Sequence, residues 1–346
     1  MVKRFGISRG VSPREPLSKV TEMAKLIDDL GFDRIWYIDH QLGMKDIYTT
    51  MALTAQATKH VKIGAAVTNL KTRHPTVTAC GHAAIDEVSN GRAMVGLGAG
   101  WVAVNSIGMR PSKIAELREG ILALKGLFRG EEVEYEGRKM HLATADRAIP
   151  VYLAVTQPRI LELAGEVADG AILMGAANVE LINWQMEFIY RGLEKSGRSR
   201  SEFEVDFVCT TSVRDTTEQA LDDVRSWAAT QAATFTEWTQ IPPGWERYQK
   251  LWQDVLANYH FENHLSLHAE HQDSVTDEWT QTVAIAGDVD YCVGRIQEIV
   301  SACDIDCITF PLHSGGRVKR LETFAKEVIP RLNLESRPAG RVQETA

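Results

Sequence analysis

The chain has 346 residues, 44% hydrophobic and 24% charged, an ordinary globular composition at a length that suits one large α/β barrel. A net charge of −8 and a pI near 5.7 argue against a nucleic-acid partner, whose phosphates need a basic face, though an average leaves room for a local basic pocket. No run reaches the ~18 apolar residues of a membrane span, the apolar stretch after Met1-Val2-Lys3-Arg4 is too short for a signal peptide, and five cysteines, an odd number in a long chain, speak against a disulfide framework and for the cytoplasm.

In chain order, short β-type runs alternate with longer helical patterns. Residues 4–8 read as a strand, and 17–30 as a helix stopped at Gly31. A second strand at 33–38, rich in aromatic and β-branched residues, precedes a helix at 47–58. A third strand at 61–67 leads to a helix at 76–88 entered through Pro75, and a fourth at 92–97 to a helix at 114–128 closed by Gly130. Residues 132–142 alternate around Glu136-Gly137 and predict a small hairpin. Strands at 151–154, 171–174 and 203–211 follow, with helices at 159–168 and 179–194. The series ends with a helix at 289–303, a strand at 307–311 and a helix at 318–332. Eight β-then-α units predict a parallel sheet closed into a (β/α)8 TIM barrel, with chemistry at the C-terminal ends of the strands. The domain reading is one barrel over 1–333, an insertion at 235–281 before the last strand, and a frayed polar tail at 334–346.

The insertion holds Trp238, Trp245, Trp252 and Trp279, half of the tryptophans, with Tyr248, Tyr259 and Phe261. It is expected on the top face, and two readings are open: a lid or substrate wall, or a packing element or dimer contact. His264, His268 and His271 fall on one face of any helix there. With no HExxH pattern beside them the expectation is a polar face and no metal.

Strand ends narrow the chemistry. After the second strand, Asp39-His40 can supply proton chemistry near neutral pH, or the histidine can serve the loop backbone. After the third, Gly64 to Asn69 offers small residues over which a flat ring can approach the backbone, or which simply pack tightly. Arg73 is either a contact to a ligand phosphate or a solvated charge. After the fourth, Gly96-Leu97-Gly98-Ala99-Gly100-Trp101 is not the dinucleotide fingerprint and opens no helix directly, yet suits a backbone cradle. After the fifth, Ala154-Val155-Thr156-Gln157-Pro158 leads into a helix whose free N–H groups can take a phosphate, with Thr156 a candidate cap. Cys303 and Cys307 have a lone C-x3-C spacing, a weak zinc signal that core packing explains equally.

Together these segments resemble the bacterial luciferase-like superfamily. Within it the chain is similar to the branch of methylenetetrahydromethanopterin reductases and other F420-dependent oxidoreductases. Four segments carry the resemblance: Gly31-Phe32-Asp33 through Asp39-His40; Val67-Thr68-Asn69 through Arg73-His74-Pro75; Gly96 through Gly100, continuing to Gly108 and Pro111; and Pro150-Val151-Tyr152 through Asp169-Gly170. The resemblance implies hydride transfer between the deazaflavin coenzyme F420 and a small organic substrate. It implies a bulged third strand, here at Ala66-Val67, often with a cis peptide not preceding proline. Ala66, Val67, Thr68, Gly98, Ala99, Gly100, Ala154, Val155, Thr156 and Gln157 would line the cofactor. His40 would be proton donor or acceptor, with Asp39 orienting it or the cofactor. Ser8, Trp101 and Trp238 are candidate substrate contacts.

The chain departs from the pattern at three places. Ser8 stands where the methanopterin reductases have glutamate, Trp101 where sugar-phosphate members have an acid, and Trp101-Val102 where others have Asp-Ser. These departures point away from a methylene-pterin or glucose 6-phosphate and toward a more apolar or planar substrate. The alternatives from the same residues are an FMN-dependent monooxygenase and a non-catalytic deazaflavin-binding protein. A homodimer through helices of the early barrel is what the resemblance implies.

Overall fold

The computed structural model describes residues 4–144, 147–258, 272, 274–312 and 316–334. His264, His268, His271, Tyr259 and Phe261, and the tail beyond Leu334, lie outside the described residues.

Eight parallel strands close into a barrel. In chain order they are β1 (Arg4–Arg9), β2 (Arg34–Tyr37), β3 (Lys62–Asn69), β4 (Ala93–Gly98), β7 (Val151–Val155), β8 (Gly170–Met174), β9 (Glu204–Val208) and β12 (Cys307–Pro311). β1 closes the ring against β12, with Phe5 opposite Ile308 and Ser8 opposite Pro311. Between β4 and β7 sits the expected hairpin, β5 (Val133–Tyr135) and β6 (Arg138–Met140). Its Glu136 and Gly137 both take positive φ, 49° and 71°, as a two-residue turn matching strand twist requires.

Around the barrel run α1 (Ser18–Asp29), α2 (Ile47–Ala57), α3 (Pro75–Ser89), α5 (Ile114–Phe128), α6 (Pro158–Val167), α7 (Val179–Lys195), α8 (Thr217–Phe235) and α11 (Val289–Ala302). Local chemistry sets their ends. Asp46 and Asn178 cap α2 and α7 with their side chains, and Pro75 and Pro158 open α3 and α6, where a missing N–H costs nothing. α8, for which the periodicity above assigns no range, is the longest helix described. The last helical stretch is not uniform: α12 (Arg317–Thr323) passes into a π turn at Phe324–Val328 and a 3-10 turn at Ile329–Arg331, where Pro330 has no N–H to continue the α ladder.

The run expected as one strand at 203–211 is two. β9 leaves the barrel after Val208, and β10 (Thr211–Val213) pairs with β11 (Ile285–Gly287) in a separate two-stranded sheet. The bridge is visible at Cys209, which still donates to Thr309, and Thr210, which already accepts from Ile285. β propensity is the same on both sides of that switch, so the sequence shows no break.

The insertion builds a core of its own. A 3-10 turn at Trp245–Tyr248, α9 (Gln249–Ala257) and α10 (Asp277–Val283) pack Trp245, Trp252 and Trp279 around Phe235 of α8. Ring centroids lie 5.4 Å from Phe235 to Trp245 and 5.1 Å to Trp252. The Trp279 indole N–H donates to the Ala228 carbonyl at 2.8 Å. Most of the aromatic richness is therefore packing, on the order of 3 kcal/mol gross per buried ring, and the cluster docks on Ala176 and Leu181 beyond β8.

Inside the barrel, side chains stack in layers. At the base Arg34, fully buried, pairs with Asp33, Glu204 and Asp206. Asp206 also accepts from Trp36 and Thr309, both at 2.7 Å. Above lie Trp36, Met94, Tyr152 and Ile172.

Candidate active site

Several strands lose part of their burial at the mouth. Ala66, Val67, Ala154, Met174 and Val208, at or near the C-terminal ends of four strands, are half-exposed and rest on the Trp36, Met94, Tyr152 and Ile172 layer. They form a flat apolar floor across the mouth. β3 supplies two of the five because its register against β4 slips between Ala65 and Thr68, and the Ala66–Val67 peptide is cis. The bulge expected at Ala66-Val67 is thus present.

The glycines after β4 serve this bulge first. A Cβ on Gly98 would stand 2.6 Å from Val67 Cγ2, and one on Gly100 (φ +90°) 2.4 Å from Val104 Cγ2. Contrary to expectation, the turn does open a helix directly: Gly100 is the N-cap of α4 (Trp101–Asn105). Positive φ at Gly100 lets the chain reverse within one residue, which residue types alone did not show. Trp101, half-buried, is the first residue of α4.

At the end of β2, Asp39 is buried, and both its oxygens are engaged. Thr68 Oγ1 donates to Oδ2 at 2.8 Å, and Arg73 forks both oxygens, Nε to Oδ2 at 2.8 Å and a terminal nitrogen to Oδ1 at 3.0 Å. The hydrogen bond to Asp39 raises the Arg73 pKa, and the guanidinium lies 5.0 Å from the Tyr48 ring centroid. Arg73 is therefore not simply a solvated charge: its fork is given to Asp39. Asp39 ties the β2 end to the β3 bulge and to the turn before α3.

His40, half-buried, is oriented by its own loop. The Gly43 N–H donates to His40 Nδ1 at 3.0 Å. A ring that accepts at Nδ1 carries its neutral-state proton at Nε2, so His40 presents a donor there. Among the described residues Asp39 makes no hydrogen bond to His40.

At the end of β7 the Gln157 side chain is spent on the insertion. Its Oε1 accepts from the N–H groups of Thr239 at 2.9 Å and Gln240 at 3.4 Å, and its Nε2 donates to the Gln240 carbonyl at 3.1 Å. These bonds bring the start of the insertion to the barrel mouth. Trp238, half-buried, stacks on Trp184 and packs 4.2 Å from Phe235. Thr156, the candidate cap of α6, makes no side-chain cap; Gln157 holds the N-cap position. Ser8 is buried at the end of β1, its carbonyl accepting from Leu312 at 2.7 Å. The structure thus joins Asp39 to Thr68 and Gly98 to Val67, and sets Ala154 on the same layer as the bulge.

Two contacts carry no expectation from sequence. Arg73 reaches Asp39 across 34 positions, which no local pattern encodes. Gln185 did leave a signal, a polar residue in the buried stripe of α7 between Ile182 and Met186. Among the described residues no group of three or more His, Cys, Asp or Glu could hold a metal, and Cys303 and Cys307 are buried free thiols. A concavity of about 450 Å³ opens at the opposite, N-terminal end of the barrel. Its charges are matched from within, Arg4 to Glu204 and Arg200 to Asp306, so that end reads as a stability face. Among the described residues no helix is long and apolar enough to cross a membrane.

Together these features mark a class: parallel (β/α)8 barrels with a bulged third strand and an apolar seat in the mouth. The chain belongs to the luciferase-like monooxygenase family, whose model matches residues 3–304, and within it to the branch containing the 5,10-methylenetetrahydromethanopterin reductases. It is 30% identical to that reductase from Archaeoglobus fulgidus over 89% of this chain and 94% of the relative. It is 28% identical to the Methanolobus tindarius reductase over 94% and 99%. The solved coenzyme F420-dependent tetrahydromethanopterin reductase from Methanopyrus kandleri shares the fold with TM-score 0.79 at 23% identity, covering 96% of this chain and all of that one.

Proposed function

We propose that the chain is an F420-dependent oxidoreductase that moves a hydride between the deazaflavin and a small organic substrate with a C=O, C=N or activated C=C bond. The observation that carries this reading is the apolar floor of Ala66, Val67, Ala154, Met174 and Val208, which fits a flat ring, together with the relatives named F420-dependent. When bound, the deazaflavin gives or takes the hydride. Ala66, Val67 and Thr68 would lie under the ring, Gly98, Ala99 and Gly100 beside it, and Ala154, Val155, Thr156 and Gln157 along its tail.

The remaining chemistry belongs to the chain. Reduction adds a hydride to one carbon and a proton to the other atom of the double bond, oxygen, nitrogen or carbon. His40, held at Nδ1 by Gly43, offers its Nε2 proton to that atom, and its half-exposed ring exchanges with solvent. Asp39, engaged by Thr68 and Arg73, acts by positioning the strand ends. With Ser8 and Trp101 in place of acids, and Trp238 at the start of the insertion, the substrate we propose is apolar or planar.

Fluorescence titration with F420 and with FMN tests the reading. Saturable F420 binding without FMN binding is expected. Preferential FMN binding with oxygen-consuming turnover would replace it by flavin monooxygenation, and tight binding without turnover by a carrier role. The same reading carries one barrel unit over 1–333, a cytoplasmic location and a homodimer through the early helices, where α3 exposes Val77 and Val88. A monomeric mass by light scattering would contradict the dimer.

A further inference from the structure

Gln41 follows His40 directly, in the turn after β2. Its amide Nε2 donates to the Ala103 carbonyl of α4 at 2.6 Å, 62 positions away. The orientation is fixed, because the flipped amide would set oxygen against oxygen. The carbonyl is open to it: the Ile107 N–H, which would continue the helix onto Ala103, bonds to the Val104 carbonyl at 3.3 Å instead. Among the described residues Ala103 accepts otherwise only from Ser106 Oγ, at 3.2 Å.

The turn that carries Gln41 is closed on itself. The Gly43 and Met44 N–H groups donate to the His40 carbonyl at 3.0 and 2.8 Å, and the Gly43 N–H also reaches His40 Nδ1 at 3.0 Å. A displacement of Gln41 therefore carries the imidazole with it. α4 is five residues long and starts at Trp101, so a displacement of Ala103 carries Trp101. β2 and β4 are not neighbours in the barrel; they flank β3, whose slipped register against β4 gives the floor two of its residues. The Gln41 bond thus joins the two sides across the end of β3. Both joined segments carry exposed apolar side chains, Leu42 on one and Ile107 and Met109 on the other.

We infer that Gln41 is a positioning residue that latches the His40 turn to α4 and so fixes the separation of His40 and Trp101 across the bulge. The inference rests on the proposed reading of His40 as proton donor and Trp101 as a substrate contact. Gln41 acts through the imidazole on proton delivery and through Trp101 on where the substrate lies, and small errors in such placement cost rate steeply. The floor itself is shaped by a different contact, Val67 against Gly98, so the latch serves the substrate side and leaves the coenzyme seat alone.

The test uses two variants of the full-length protein. Gln41→Met keeps the reach of the side chain and removes the donor; Gln41→Lys restores a donor of similar reach. Hydrogen–deuterium exchange without ligand should quicken in residues 40–46 and 101–109 together in Gln41→Met, by roughly fivefold, the scale of one hydrogen bond. It should return toward the parent in Gln41→Lys, with the barrel strands unchanged in both. Faster exchange in one of the two segments alone, or in neither, overturns the latch, and faster exchange spread over the barrel reduces Gln41 to ordinary packing. The second arm follows oxidation of reduced F420 by menadione, a flat apolar quinone. Expected in Gln41→Met is a kcat lower by about tenfold with F420 affinity held within about twofold, and recovery of kcat in Gln41→Lys. An unchanged kcat, or an equal loss of kcat and F420 affinity, overturns the positioning role. If the parent protein binds FMN in place of F420, the deazaflavin reading fails; if it leaves menadione unreduced, the proposed substrate class does. In either case the paired exchange still decides whether Gln41 holds the two segments together.

Discussion

His40 and Asp39 are adjacent in sequence yet do different work, because their partners differ. One backbone N–H holds the imidazole at Nδ1, with no partner at Nε2 among the described residues, whereas three side-chain donor contacts engage the carboxylate. His40→Ala should lower turnover by ~10²–10⁴ while coenzyme affinity stays within about threefold; single-turnover rates beside fluorescence Kd values check this, and unchanged turnover would remove His40 from the reaction. Arg73→Leu leaves Asp39 buried with Thr68 as its one donor, and should cost about 2–3 kcal/mol in urea unfolding. The pair is coupled, so adding Asp39→Asn to Arg73→Leu should cost less than the two single changes summed. Additive costs would mean the fork carries no energy of its own.

At the scale of elements, the site depends on one strand fitting against another. The β3 bulge occupies the space that a side chain on Gly98 would need. Gly98→Ala should therefore destabilise by about 1–3 kcal/mol, the usual cost of overpacking, and weaken coenzyme binding, since the floor shifts with Val67. Val67→Ala added to Gly98→Ala relieves the clash and should restore part of the stability. If the double variant is no more stable than Gly98→Ala, the contact is not the reason for the glycine. The insertion shows the converse: Trp245, Trp252 and Trp279 bury against α8, while its first turn is tied to the mouth through Gln157.

Over the whole molecule, acid should weaken the fold in two separable windows. Burial holds the His82 imidazole neutral and pushes its pKa down to about 4. The unfolded chain binds that proton near pH 6.5, so stability present above 6.5 is lost as pH falls toward 4, about 3 kcal/mol in all. Burial opposes the charge on Glu204, but Arg34 and Arg4 outweigh it and hold the carboxyl at about 2. Its contribution, also about 3 kcal/mol, is present above about pH 4.5 and lost between there and 2. Urea unfolding across pH should flatten in the upper window for His82→Leu and in the lower for Glu204→Gln. A slope unchanged in either variant assigns that window to other groups.

Much of this protein is legible without tertiary information. Alternation of β-type runs and helical patterns determines the eight-unit barrel, because period and turn residues are local properties of the chain. The hairpin at Glu136-Gly137 and the helix starts at Pro75 and Pro158 follow from single-residue backbone preferences. The family motifs marked the strand ends around Ala66-Val67 and Asp39-His40. Three things were settled only by the folded chain. Residues 203–213 divide between two sheets, because pairing partners and not propensity decide where a strand belongs. Arg73 finds Asp39, and Gln185 finds Thr156 and Met174, because the donors of a buried amide or guanidinium must be satisfied by whatever the fold brings within 3 Å or so. Most of the insertion's tryptophans pack against α8 rather than face the mouth, because an apolar ring is buried by its nearest available core, and which core is nearest is a property of three dimensions.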